Sequence, residues 1–410
     1  MIFTQFTRKS LSILIVLNLV CSCGPRSSNN QPDGIWRAVL TVPGGELPFI
    51  LQFMNGVATI RNGAELITIE EMRFENDSLV LDLTSFNSTI RALASDSTFS
   101  GSLTMIKSGG IPQVIPFKAR RESEYLFFPS PQLLSDMFSG RWAVVFRTDD
   151  GDETSAVGEF RQEGDKARGT FLTPTGDYRY LSGDVRDSVM YLSTFDGGHA
   201  FLFHARLLAD GSLRGDYWSG TAWHESWKAV REEDASLPGA EAQTLLFEGK
   251  KFDFSFPDVD GKMVSLSDAR YRGKPVLVVL AGSWCPNCHD EAAFLSQLYR
   301  EKHAQGLEIV GLMYERYPDF KPASRQVRRY RKKFGIEYEL LVAGTSVKSE
   351  ASKTLPMLNR IAVFPTAIFI DRNGNVASIH SGFSGPGTGE HYERVTKELR
   401  ARVDRLLTGP

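Results

Sequence analysis

The residues best suited to chemistry are two cysteines in the run Trp284-Cys285-Pro286-Asn287-Cys288. They follow a near-continuous apolar stretch, Pro275 to Gly282, and precede Ala292, Leu295, Leu298 and Tyr299 at helical spacing. That pattern predicts a strand buried on both faces leading straight into a helix. A cysteine at a helix start has its thiolate favoured by the first-turn amides and the positive end of the helix dipole. Two intervening residues let the second sulfur reach the first, so Cys285 can attack a disulfide and Cys288 can release the product. A zinc site would need four ligands, and there is no second cysteine pair. His289 completes a Cys-x-x-Cys-His string, the form of a c-type haem attachment. That attachment belongs on a small haem-wrapping helical domain, not after a buried strand. A purely structural disulfide over so short a loop would stabilise little. The expectation is dithiol chemistry with no metal, and with no cofactor beyond a redox-active Cys285–Cys288 disulfide.

The rest of the chain must position that pair. Its 410 residues allow two or three domains, and 42% hydrophobic and 23% charged residues are ordinary for globular protein. A net charge of −2 gives no whole-chain field that would draw nucleic acid. Arg8 and Lys9 precede the apolar run Leu11 to Val20, too short to span a bilayer as a helix. It ends in Val20-Cys21-Ser22-Cys23, which resembles the lipobox of bacterial lipoproteins, and the resemblance implies lipidation of Cys23. Residues 1–22 then read as a lipoprotein signal peptide and 23–33 as a polar tether. The other two of the four cysteines are Cys285 and Cys288, so an exported chain would keep no cysteine for a structural bridge.

From 34 to about 232, short runs of β-formers alternate with Gly, Asn and Asp. Gly34-Ile35-Trp36 recurs as Gly140-Arg141-Trp142, Asp77-Ser78-Leu79 as Asp187-Ser188-Val189, and Phe117-Lys118-Ala119 as Trp227-Lys228-Ala229, in one order and near-constant spacing. Two tandem all-β modules, 34–125 and 138–232, follow. Gly-x-Trp on a first strand with a basic residue on the last resembles the lipocalin-like (calycin) barrels. Trp36 could there meet Arg120 or Arg121, and Trp142 could meet Arg231. An antiparallel sandwich fits as well. Residues 233–250 read as a linker, and 251–410 as alternating strands and helices.

In that last part Val363-Phe364-Pro365-Thr366 stands just before a strand. With Phe256-Pro257-Asp258 to Lys262, Gly273-Lys274-Pro275-Val276, the cysteine motif, Ile370-Asp371-Arg372-Asn373-Gly374 and the tail from Ser381 to Tyr392, it resembles the TlpA-like (ResA-like) branch of thioredoxin-fold disulfide reductases, Bacteroidota members included. The resemblance covers about 250–408. It implies a multidomain chain whose C-terminal α/β thioredoxin-like fold carries a cis-Pro365 facing the pair. Substrate would lie against Trp284, Phe364 and Pro365 as an added strand. It also implies that Glu291, three residues past Cys288, handles protons. Three departures stand out. Ala293 occupies a position where the family often has proline. Val279 stands where cytosolic thioredoxins have a buried Asp, and Pro286 comes directly after the first cysteine.

The function expected is that of a lipid-anchored, periplasm-facing protein-disulfide reductase. It would act on thiols and disulfides of exported proteins and draw electrons from a membrane thiol donor. Alternatives are a dithiol oxidase or isomerase, a binding lipoprotein acting through its β modules, and a thiol peroxidase. For the last, the Pro-x-x-x-Thr-x-x-Cys context is missing, since Ala281-Gly282-Ser283-Trp284 precedes Cys285. The basic stretch from Arg325 to Lys333 reads as a solvated amphipathic helix. Trp223, His224 and Trp227 read as strand packing.

Overall fold

The computed structural model describes residues 1, 32–121, 124–237 and 243–409. The apolar leader, Cys23, most of the tether and part of the linker lie outside the described residues.

The first module is an antiparallel meander of nine strands from Gly34–Val42 to Pro112–Arg121, and its first strand pairs with its last, Trp36 opposite Arg121. Strands Glu65–Thr68 and Glu71–Glu75 stand at opposite ends of the sheet order, yet only Ile69 and Glu70 separate them in sequence. Three Cα steps span about 10 Å at most, so the sheet must curl until its edges meet. The second module closes completely. Its strands, from Gly140–Thr148 to Trp223–Arg231, each pair with the next, and the first pairs with the last, Trp142 opposite Arg231. The result is an eight-strand barrel, with the short strand Gly176–Asp177 as an extra. A closed barrel in the second module and a curled, barrel-like sheet in the first, rather than sandwiches, are what the repeat encodes.

The repeated tryptophans play matching parts. Trp36 donates its indole N–H to Asp33 O at 3.2 Å and stacks on Phe99 at 4.3 Å. Trp142 donates to Phe138 O at 3.0 Å, and the Arg231 guanidinium lies over its ring at 4.4 Å. The second barrel's interior is filled by rings. Phe171 lies 4.8 Å from Phe203, and Phe203 stacks on Tyr217 at 4.4 Å. Phe146 and Trp227 close the same cluster, as expected of a small barrel packed with side chains. Trp223 departs from expectation: it is 51% exposed, its N–H turned to Glu225. His224 bridges Asp149 and Asp216 while its ring lies 5.4 Å from that of Trp218.

The two barrels share a seam. Phe195 of the second lies 4.9 Å from Phe49 of the first, and Asn62 exchanges hydrogen bonds with the Phe195 backbone.

Downstream, a hairpin of Ser255–Pro257 and Met263–Ser265 leads into a five-stranded sheet. Its order is Glu339–Thr345, Glu308–Glu315, Val276–Ala281, Thr366–Ile370, Val376–Ser381; the first two pairings are parallel and the last two antiparallel. Helices α1 (Pro286–Lys302), α2 (Phe320–Phe334), α3 (Lys348–Thr354) and α4 (Glu390–Thr408) accompany it. This is the thioredoxin-like fold. Strand Glu339–Thr345 and α3 were not anticipated, because a run as short as Leu340 to Ala343 carries no decisive period. The basic helix α2 is not simply solvated. Lys333 pairs with Glu70 of the first barrel and Gln326 bonds to Asn87 there.

Phe171 is fully buried within the aromatic cluster. Phe171→Ala is therefore expected to cost about 3–5 kcal/mol, read as a lowered urea midpoint for the second barrel.

Candidate functional site

The strand Val276–Ala281 is buried along its whole length and delivers the chain to Gly282 at the edge of the core. There the chain turns back on itself. A Cβ on Gly282 would come within 2.3 Å of Trp284 Nε1, so only glycine lets the indole fold in. That indole donates to Tyr314 O at 2.9 Å, packs edge-on to Phe364 at 6.0 Å and carries the Arg316 guanidinium at 4.8 Å.

Cys285 is the N-cap of α1, and Pro286 takes the first helical position, where its missing N–H costs nothing. The Cys285 sulfur does the work of a capping oxygen: Cys288 N–H donates to Sγ at 3.3 Å. On its other side Cys285 Sγ donates to Phe364 O at 3.6 Å, and the Phe364–Pro365 peptide is cis. Cys285 is 6% exposed and Cys288 fully buried; both are free thiols. Burial, then the neighbouring Cys285, pushes the Cys288 thiol well above its ordinary value. Tyr330 of α2 donates to Cys288 O at 2.6 Å.

One turn further along, Glu291 is 2% exposed. Burial, with negative charge at Cys285 added, pushes its carboxyl well above the carboxylate range. Among the described residues no group hydrogen-bonds that carboxyl. Burial, with Cys288 and Glu291 adding to it, pushes the Tyr330 and Tyr338 phenols above their ordinary values. The structure thus brings Trp284, Cys285, Cys288, Glu291, Phe364 and Pro365 together; Cys23 lies outside the described residues. His289, the haem-like histidine, is spent on structure. Its Nε2–H donates to Ser283 O at 2.5 Å and its ring stacks on Phe86 of the first barrel at 4.4 Å. Burial, with Lys333 nearby, holds it well below the usual histidine range.

Residues that the sequence did not point to complete the surroundings. Glu315 ends the neighbouring parallel strand and accepts from Ser283 N–H at 3.0 Å and Ser283 Oγ at 2.6 Å, fixing the residue two before Cys285. Burial raises its carboxyl to about 7, against the pull of Ser283 and Arg316. Arg179, Asp177 and Asp196 of the second barrel reach the other side of the cysteine turn. Local spacing held no signal for them, since Arg179 and Asp177 find their partners more than a hundred residues away in the chain.

Residues 249–379 match the model of the AhpC/TSA family. The thiol-disulfide oxidoreductase ResA of Geobacillus kaustophilus (strain HTA426) is 28% identical over 148 residues, 36% of this chain and 75% of that protein. ResA of Geobacillus thermodenitrificans (strain NG80-2) is 28% identical over 130 residues, 32% of this chain and 66% of that protein. A solved structure of a putative thiol:disulfide interchange protein DsbE from Chlorobium tepidum is 22% identical, covering 39% of this chain and 99% of that one, with a TM-score of 0.30. Over its C-terminal segment the chain is similar to the ResA thiol-disulfide oxidoreductases.

Glu315 gives a stability prediction. The unfolded carboxyl ionises from about pH 4.5, while the folded one keeps its proton until about 7. Stability is therefore full below the lower value and falls as pH rises through this window, by up to about 3 kcal/mol. Glu315→Gln should remove that share of the decline in unfolding measured from pH 4.5 to 8. Asp290, raised to about 7 by burial, declines in the same sense and remains.

Proposed function

We propose that this chain is a membrane-anchored reductase of disulfides in exported proteins, working through Cys285 and Cys288. The observation that carries it is the sulfur of Cys285, capped by the α1 amide and set 3.6 Å from the carbonyl that precedes cis-Pro365.

As a thiolate, Cys285 attacks one sulfur of the substrate disulfide. The substrate S–S bond breaks, a mixed disulfide with Cys285 forms, and the departing thiolate takes a proton. Cys288 then attacks Cys285 Sγ. The second substrate thiol leaves, and the Cys285–Cys288 bond closes, so two electrons have passed to the substrate. Cys288 resists ionisation while buried, and the step needs a base beside it. Glu291, one turn away and itself held at a raised value, is matched to that proton. Trp284, Phe364 and Pro365 are the surface on which the substrate segment lies, its backbone pairing beside the cis peptide.

The electrons are returned by a membrane thiol donor, in keeping with the ResA relationship. Anchoring rests on Cys23 in its lipobox-like run. No described helix is long and apolar enough to cross a membrane. The opposite direction, dithiol oxidation, uses the same sulfurs and differs in potential alone.

Cys288→Ser should accumulate mixed disulfides on Cys285 that diagonal electrophoresis reveals, and Cys285→Ser should form none. A couple more negative than about −200 mV is expected; a value near −120 mV, that of a strong dithiol oxidant, would sink the reductase reading. Glu291→Gln should slow release of the trapped substrate by about 100-fold and shift the pH profile of that step.

A further inference from the structure

The barrels do not merely precede the redox domain; they lie on it, around the cysteine turn. Gly198 of the second barrel sits against Pro286 so closely that a Cβ there would be 2.8 Å from Pro286 Cγ and 3.1 Å from Trp284 O. On the other flank the Thr175–Gly176 backbone packs on Gly382, where a Cβ would meet Thr175 C at 2.8 Å. Asn287, between the cysteines, donates to Asp177 Oδ1 at 2.9 Å, and Gly385 N–H donates to the same oxygen at 3.0 Å. The first barrel closes in as well, with Ser108 Oγ 3.0 Å from Ser346 Oγ, Arg316 bonded to Ile106 O, and Phe86 on His289. A protein disulfide would have to lie across Trp284, Pro286, the cis-Pro365 turn and the 382–385 loop. Much of that ground is taken, and Cys285 itself is 6% exposed.

One side chain ties the cover down. Arg179, 8% exposed, donates to Pro286 O at 3.2 Å and pairs with Asp290 in the second turn of α1. The same guanidinium pairs with Glu65 of the first barrel, and with Asp196 of the second at 3.3 Å. Asp196 in turn fixes the 196–199 turn through the N–H groups of Gly198 and His199, at 2.9 and 2.6 Å. A single buried cation thus joins both barrels to the cysteine turn. Its removal would leave several carboxylates buried without a counter-charge.

We propose that segments 173–179 and 196–199 form a specificity-determining cover over the dithiol, held by Arg179 as a positioning residue. While latched, it admits low-molecular-weight disulfides and keeps protein disulfides out; protein substrates gain access when the barrels lift from α1. The inference rests on the redox reading of Cys285 given above, and concerns which disulfides reach it.

The test uses full-length reduced protein. Cys285 is alkylated with iodoacetamide and with a maleimide on a long polyethylene glycol chain, each rate referred to the same reagent on unfolded protein. In parallel, reduction of a small aromatic disulfide and of insulin is followed. Wild type should favour the small alkylating reagent by about tenfold or more, and Arg179→Met should bring the ratio towards one by populating the open form. Gly198→Leu, which wedges the 196–199 turn off Pro286, provides the same readout if Arg179→Met does not fold. Insulin reduction should rise relative to the small disulfide in either variant. Equal rates for both reagents on wild type, or an unchanged ratio in a folded variant, would overturn the cover. Failure of wild type to reduce even the small disulfide would instead sink the redox reading, while the alkylation ratio still decides the cover.

Discussion

A sulfur that is to carry charge needs that charge met, and the first turn of α1 meets it with the helix's own amide. Cys285 Sγ replaces the oxygen that ordinarily caps a helix, taking the Cys288 N–H at 3.3 Å. Everything around it follows from holding that turn still. Gly282 lets Trp284 fold under, Glu315 grips Ser283, and the cis Phe364–Pro365 peptide aims a carbonyl at the sulfur. The five-stranded sheet is the rigid base beneath them. Val276–Ala281 is its central strand and cannot shift without dragging neighbours on both sides.

Burial is the dominant electrostatic influence at the site. Glu291, Glu315, Asp290 and Cys288 are each pushed towards their neutral forms chiefly by loss of water. A carboxyl raised in this way lies nearer in proton affinity to a thiol, which suits Glu291 to exchange a proton with Cys288. The barrels contribute to the burial directly, since Phe86 covers His289 and Asp177 takes the amide of Asn287.

The sequence disclosed what is local. Two cysteines one turn apart after an apolar run, a proline before a strand, and a repeated Gly-x-Trp each carry their physics within a few residues, and the structure places all three as strand-to-helix junction, cis turn and barrel seam. What depends on distant chemistry stayed hidden. Arg179 looks like an ordinary turn residue until Glu65, Asp196 and Asp290 converge on it. The polar face of α2 reads as solvated because its partners, Glu70 and Asn87, are themselves polar and belong to another module. That the β modules lie on the thioredoxin-like domain stayed hidden for the same reason: most of the contacts that join them are glycine backbones, polar hydrogen bonds and ion pairs, which leave no apolar stripe to read.

The first strand of the first barrel, Gly34–Val42, is hydrogen-bonded on both edges, to Gly45–Met54 and to Pro112–Arg121. Mechanical load arriving along the chain at residue 34 is therefore divided between two antiparallel ladders and pulls along them in shear. A strand held this way must break many bonds together before it yields, whereas a strand at a sheet margin unzips one bond at a time. Pairing on both edges thus makes the first strand the part of its module best placed to resist a pull where residue 34 enters the fold.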